Sequence, residues 1–182
     1  MLRITTGTAK NRKLKTPKIP KFRAVQEVAK QAVFAVLAEK TSGATCLDLF
    51  AGSGNMGIEA LSRGANWCDF VDEDGRATKA IEQNLKTTNL QQKAEVHQKE
   101  AVKFVADCPR TYDIIFADPF YSDHKHKFLM ELLPETLNEN GVVVFFHEEG
   151  IDMAKLLEKS VLQSVDSRRY GKSFVDFLVA GK

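Results

Sequence analysis

The stretch Leu47-Asp48-Leu49-Phe50-Ala51-Gly52-Ser53-Gly54-Asn55-Met56-Gly57 leaves this chain few folds to choose from. The apolar run Cys46 to Phe50 reads as a short buried parallel strand. It stops at the glycine-rich turn Gly52-Ser53-Gly54. A helical pattern follows at once, with Met56, Ile58, Ala60 and Leu61 on it and Gly64 closing it. Strand, glycine turn and helix form the first unit of a nucleotide-binding α/β fold. Gly52 and Gly54 let the backbone pass close under a ligand where a Cβ would collide. The helix N-terminus then offers unpaired N–H groups to that ligand.

A glycine turn of this kind also serves plain packing, so its ligand must be read from its neighbours. The next apolar strand, Trp67 to Val71, ends in Asp72, where an acidic residue would meet a ribose hydroxyl. Asp48 lies inside the first strand, close to the turn. A carboxylate there repels a pyrophosphate and favours a ligand carrying a cationic amine or sulfonium. S-adenosylmethionine has that character and is the expected cofactor, provided that Asp48 points toward it.

The chain has 182 residues, enough for one domain with a substantial core. No apolar run approaches a membrane span; the longest is near Val142 to Phe146. The N-terminus is basic without an apolar segment behind it, unlike a secretory signal. Cys46, Cys68 and Cys108 are scattered and form no C-x-x-C, which fits reduced thiols in a cytoplasmic protein. His124 and His126 flank Lys125 on a polar segment and read as solvated side chains, so no metal is expected.

The net charge is only +2, but residues 1–23 carry five lysines and three arginines and no acid. A near-neutral body with a basic arm calls for a polyanionic partner. Arg3 to Thr6 and Lys13 to Thr16 are expected to pair as strands around a Gly7/Asn11 turn, presenting Lys10, Arg12, Lys13 and Lys15 together. With Arg3 and Arg23, these are the candidate nucleic-acid contacts, of the kind that position rather than specify. The expected division is a basic arm over residues 1–23 and a catalytic domain over residues 24–182.

Beyond the arm, Ala24 to Glu39 reads as an amphipathic helix whose apolar face holds Val25, Val28, Ala29, Ala32, Val33, Val36 and Leu37. After Asp72, the pattern predicts a helix over Gly75 to Thr88 and a weak strand over Ala94 to His97. Glu100 opens a short helix. It can accept the exocyclic amine of adenine, or it can serve only the helix dipole. A fourth strand, Tyr112 to Ala117, runs into Asp118-Pro119-Phe120-Tyr121. A helix over Lys125 to Leu137, a strand over Val142 to Phe146 and a charged helix over Asp152 to Lys159 follow. Leu162 to Arg168 and Phe174 to Val179 close the chain as an antiparallel hairpin.

Ligands of open α/β sheets sit beyond the carboxyl ends of the strands. The first and fourth strand ends would therefore face one crevice, which makes Asp118 to Tyr121 the candidate catalytic segment. The lone pair of a nucleobase amine is delocalised into the ring. A carboxylate and a nearby backbone carbonyl can accept both N–H bonds, orient the nitrogen and stabilise the charge that develops during methyl transfer. Pro119 stiffens the loop, and Phe120 and Tyr121 can stack on the base.

Taken together, these segments resemble the RsmD-like 16S ribosomal RNA guanine-N2 methyltransferases of bacteria. Leu47 to Gly54 followed by Gly57-Ile58-Glu59-Ala60-Leu61-Ser62-Arg63-Gly64-Ala65 is closely similar to the family's first motif. Arg3-Ile4, Gly7 and Arg12-Lys13-Leu14 resemble its basic N-terminal hairpin. Phe70-Val71-Asp72, Glu100-Ala101 with Phe104, Asp118 to Tyr121 and Tyr170-Gly171 resemble later motifs. The resemblance implies a Rossmann-like class I methyltransferase fold, with a seven-stranded, mostly parallel sheet, one antiparallel strand and helices on both faces. It further implies methylation of a guanine N2 amine in 16S ribosomal RNA within the small subunit or its assembly intermediate, by a monomer with no membrane partner. It places Asp48, Phe50, Gly52 and Gly54 at the methionine end of S-adenosylmethionine, Asp72 on the ribose and Glu100 near the adenine. Phe120 stands where the family usually has a second proline, and the family's Arg-Pro-Thr segment reads Arg23-Ala24-Val25 here. Other readings are an adenine-N6 or other planar-amine methyltransferase, a catalytically silent RNA-binding relative, and an NAD-dependent oxidoreductase. The last fits Asp72 but not Asp48 or Asp118.

Overall fold

The computed structural model describes residues 2–20, 24–119 and 126–181. Its centre is β1 (Thr45–Leu49), flanked by β2 (Trp67–Asp72) and β4 (Tyr112–Ala117), both parallel to it. β3 (Ala94–Gln98), β5 (Leu137–Glu148), β6 (Leu162–Tyr170) and β7 (Ser173–Ala180) complete a seven-stranded sheet in the order β3-β2-β1-β4-β5-β7-β6. β7 runs antiparallel to both β5 and β6, so it is the reversed strand of the sheet. The strand order reverses beside β1, and the crevice beyond the carboxyl ends of β1 and β4 is the place such sheets bind ligands.

Each face of the sheet is covered by helices. On one side α1 (Glu27–Leu37), α2 (Asn55–Ser62) and α3 (Gly75–Thr88) bury Phe34, Ile58, Leu61, Ile81 and Leu85 against Cys46, Phe70, Phe116 and Val144. On the other, α4 (Ala101–Ala106) and α5 (His126–Leu132) bury Val105, Leu129 and Met130 against Leu47, Leu49, Ile115 and Phe145. The bounds of α3 coincide with the predicted ones because both ends are signalled locally. Asp74 accepts the N–H of Arg76 at the start, and Asn89 takes a left-handed conformation at the end.

Elsewhere the elements depart from the periodicity. Val28, expected on the apolar face of α1, is 68% exposed, whereas Lys30 is buried with Ala29, Val33, Phe34 and Leu37. The helix is rotated because Lys30 has an ionic partner inside, Glu59 of α2 at 2.9 Å. β5 begins at Leu137 rather than Val142, since Leu137 pairs with Tyr112 although Asn138, Glu139 and Asn140 give that end a polar sequence. α5 gives way to a 3-10 turn over Leu133–Thr136, where Pro134 has no N–H for a helical bond. The charged helix near the C-terminus shrinks to α6 (Met153–Leu156), capped by Asp152.

The N-terminal segment forms a hairpin with one strand-like bridge, Arg3 with Lys13, rather than two paired strands. The ladder stops there because the body takes its backbone donors. Glu59 accepts the N–H groups of Thr5 and Thr6 at 2.9 and 3.1 Å, Ser62 Oγ accepts that of Ala9 at 2.9 Å, and the Ser62 carbonyl accepts that of Thr8. Gly7 lies so close to α2 that a Cβ on it would meet the Ser62 carbonyl oxygen, and its φ of +85° is one that side chains rarely adopt. Ile4, Ala9 and Leu14 share the apolar cluster under α1 and α2. Lys10, Arg12, Lys13 and Lys15 alternate with these buried residues and stay exposed.

Candidate active site

The turn after β1 is held in a left-handed conformation at three places, Phe50 (φ 56°), Gly52 (φ 56°) and Gly54 (φ 74°). For Phe50 this is a strained backbone, of order 1–2 kcal/mol. Its neighbours compel it. Ala51 donates to the Val71 carbonyl at 3.1 Å, Gly52 to Asp72 Oδ2 at 2.8 Å and Gly54 to the Ala51 carbonyl at 2.7 Å. The strain lies where Phe50 faces the cleft. Gly54 serves packing as well as conformation, because a Cβ there would come 3.1 Å from Ile58 and 3.2 Å from Phe70.

Asp48 is buried, and its Oδ2 accepts the Gly57 N–H at 2.9 Å. The positive end of α2 is thus met by a carboxylate from within, in place of the open anion site that a glycine turn usually presents. Burial pushes Asp48 well above the usual carboxylate range, and the charges of Asp118 and Asp72 add to the shift. Asp72 is anchored by two backbone donors, Gly52 to Oδ2 at 2.8 Å and Asp74 to Oδ1 at 2.9 Å, and burial raises it too. Phe50, Asp72 and Glu100 line a single cleft with Val71, Glu73, Lys99, Ala101 and Val102. Glu100 is also the residue at which α4 starts, with Lys103 Nζ 3.7 Å from its carboxylate, so its two readings are compatible.

His126 and Leu129 of α5 form the far wall of the cleft. His126 is buried and packs edge-on against Phe145, in contrast to the solvated side chain expected. His124 lies outside the described residues, as do Phe120, Tyr121 and Arg23. Arg3 is exposed but already paired with Glu27 at 3.1 Å. Among the described residues, Asp69, Glu95 and His97 bring three potential metal ligands together. Asp69 is already held by Arg110 at 2.9 Å, Tyr112 at 2.8 Å and His97 at 3.0 Å, which accounts for its burial without an ion.

Asp118 and the buried Pro119 follow β4 directly. β4 pairs with β1 through Leu49 and Ala117, so Asp118 emerges beside Phe50. Desolvation pushes its carboxyl up to about 7. If the ionised form accepts the substrate's N–H bonds, kcat/KM falls tenfold per pH unit in acid and levels off above about pH 7. A pH profile that falls with rising pH through that value would show that the protonated acid is the active form.

The donor set suits a cationic ligand. Asp72, Glu73 and Glu100 line the cleft, and the helix terminus at the turn already has its partner in Asp48. A pyrophosphate would meet repulsion there, whereas a sulfonium would meet attraction.

Two side chains near the turn are buried where the sequence gives no partner for them. Lys30 and Asn84 sit on the apolar stripes of α1 and α3, beside Val33 and Ile81 respectively. A polar residue inside such a stripe is the signal that marks them.

The family described as Conserved hypothetical protein 95 matches residues 2–179. YlbH of Bacillus subtilis is 34% identical over 166 residues, covering 88% of this chain and 90% of its own. The ribosomal RNA small subunit methyltransferase D of Escherichia coli K12 is 34% identical over 143 residues, 77% of this chain and 68% of its own. A solved structure of a hypothetical protein from Thermus thermophilus has the same fold, with a TM-score of 0.82 at 23% identity over 97% of this chain and 98% of that one. The chain belongs to the Conserved hypothetical protein 95 family, the RsmD-like class I methyltransferases, whose methyl donor is S-adenosylmethionine.

Proposed function

We propose that this protein methylates the exocyclic N2 amine of a guanine in 16S ribosomal RNA, in the small subunit or an assembly intermediate. The observation that carries the reading is the placement of Asp118-Pro119 at the end of β4, next to the glycine turn at the end of β1. When bound, S-adenosylmethionine supplies an electrophilic methyl on a sulfonium. Asp72 would hold the ribose, Glu100 would lie by the adenine, and Phe50 and Asp48 would border the methionine end. The Asp118 carboxylate and the Pro119 carbonyl would accept the two amine N–H bonds, turn the nitrogen lone pair toward the methyl and stabilise the positive charge that grows on it, and the proton that the methylated nitrogen sheds would pass to the Asp118 carboxylate. Phe120 and Tyr121, the aromatic residues that follow in the sequence, would offer stacking faces to the base. Holding amine and methyl in line supplies much of the remaining rate.

The hairpin residues Lys10, Arg12, Lys13 and Lys15 grip RNA phosphates. Changing all four to Ala is expected to weaken RNA binding and to flatten log Kd against log salt by up to about four times 0.7–0.9. An unchanged slope would remove the hairpin from the RNA interface. The identity of the target is tested with methyl-labelled S-adenosylmethionine, offered with naked 16S ribosomal RNA, with small subunits lacking the modification, with DNA and with a protein extract. Label in N2-methylguanine supports the reading. Label in methyladenine or in protein keeps the chemistry and overturns the target. No label, with cofactor bound, points to a silent RNA-binding relative.

A further inference from the structure

The basic hairpin and the glycine turn are joined by two buried polar side chains, each fully used. Lys30 of α1 and Asn84 of α3 both have no exposed surface. Lys30 Nζ donates to the Arg3 carbonyl at 2.7 Å, to Asn55 Oδ1 at 2.8 Å and to Glu59 at 2.9 Å. Asn84 accepts the Lys15 N–H at 2.8 Å and donates to the Lys15 carbonyl at 2.9 Å and to the Ser53 carbonyl at 2.8 Å. One bridge therefore runs from the first limb of the hairpin to Asn55, and the other from the second limb to Ser53. Ser53 and Asn55 flank Gly54, within the strained turn whose Gly52 N–H holds Asp72.

We propose that Lys30 and Asn84 are positioning residues that couple RNA binding on the hairpin to cofactor binding at the turn. The inference rests on the reading that the hairpin contacts RNA. Lys15 shows how the signal enters. Its side chain is exposed, with the ammonium donating to Gln83 Oε1 of α3 at 3.4 Å, while its backbone is clamped at both N–H and C=O by Asn84. A phosphate that fixes Lys15 thereby fixes Asn84 and, through it, Ser53. Buried hydrogen bonds in a low dielectric are stiff and intolerant of loss. Ordering one limb therefore lowers the entropy still to be lost when the turn closes on its ligand. The coupling is reciprocal: cofactor tightens RNA by the same factor as RNA tightens cofactor.

The test is a titration of the full chain with S-adenosylhomocysteine, which cannot react, with and without saturating 16S ribosomal RNA transcript. In the wild type, RNA is expected to tighten S-adenosylhomocysteine by about fivefold or more. In Asn84→Ala and in the double variant Lys30→Met/Glu59→Gln, that factor should fall to near one. The salt slope of RNA binding, set by the exposed lysines and arginines, should stay as in the wild type, an outcome that general destabilisation would not give. A factor of one in the wild type overturns the proposal, as does a wild-type factor in folded variants. Should the variants fail to fold, amide exchange of the wild type decides. Protection over residues 52–55 should rise when RNA is added without cofactor, and unchanged protection overturns the coupling. Absence of any RNA binding by the wild type would instead take away the functional reading on which the coupling stands.

Discussion

Asp118→Ala is expected to lower methyl transfer roughly 10²–10³-fold in kcat, the size of effect seen when one fixed group that stabilises transition-state charge is removed. S-adenosylhomocysteine affinity should change by no more than about threefold, well under 1 kcal/mol, because the proposed ribose contact, Asp72, belongs to β2 and not to β4. A large loss of cofactor affinity would mean that the strand ends of β1 and β4 do not divide cofactor and substrate between them. The same carboxyl also affects stability. Its folded-state value is raised to about 7, so the folded chain binds that proton more tightly than the unfolded chain does. This contribution is present below the ordinary carboxylate value and is lost as pH rises through about 7. Asp118→Asn should therefore be inactive yet melt higher than the wild type at pH 8, with the difference shrinking at pH 5. Both variants are read by single-turnover label transfer beside a melting curve.

Lys30→Met is expected to be the most damaging single change to stability, about 3–5 kcal/mol. It keeps the volume of the stem but leaves the Glu59 carboxylate, itself without exposed surface, facing Arg63 and the Thr5 and Thr6 donors alone. For a chain of this length the loss corresponds to roughly 6–20 °C in Tm. In the wild type, burial alone would raise Glu59. Lys30 and the two hydrogen bonds from Thr5 overcome that and hold it below its usual value. Without Lys30 the burial effect gains weight, so the defect should be larger at pH 8 than at pH 5, where Glu59 can take up a proton. Urea melts at the two pH values measure this. A loss below about 1 kcal/mol at both would show that water reaches Glu59 and that the pair is not sealed.

Where local signals coincide, the chain is legible. Gly52, Gly54, Asp72 and the apolar runs around them place the first β-α-β unit, and Asp74 with Asn89 delimits α3. Features that depend on partners distant in sequence are not. The rotation of α1 is set by Glu59, which no periodicity within α1 reveals. The opening of β5 is a strand by virtue of its pairing with β4, against its own polar residues. The direction of Asp48 depends on the Gly57 N–H, and this carboxylate proves to be a helix-end partner. The buried place of His126 depends on Phe145, on a strand that follows it in the chain. Phe50 and Asp72, which line the cleft, belong to one local unit around the glycine turn. The Lys30 and Asn84 bridges do not, because each joins three separate segments.

The docking of the hairpin also fixes an order of events in the life of the chain. The hairpin residues are synthesised well before the partners that hold them. Thr5 must meet Glu59, 54 positions on, and Lys15 must meet Asn84, 69 positions on. Closures over such distances come late, because their entropy is lost before the contact is gained. Until α1 and α2 exist, Ile4, Ala9 and Leu14 have no apolar bed, and until α3 follows, Lys15 has no partner for its backbone. A growing chain therefore carries its basic segment unformed, and the surface that presents Lys10, Arg12, Lys13 and Lys15 together matures only after the turn and both its supporting helices are complete.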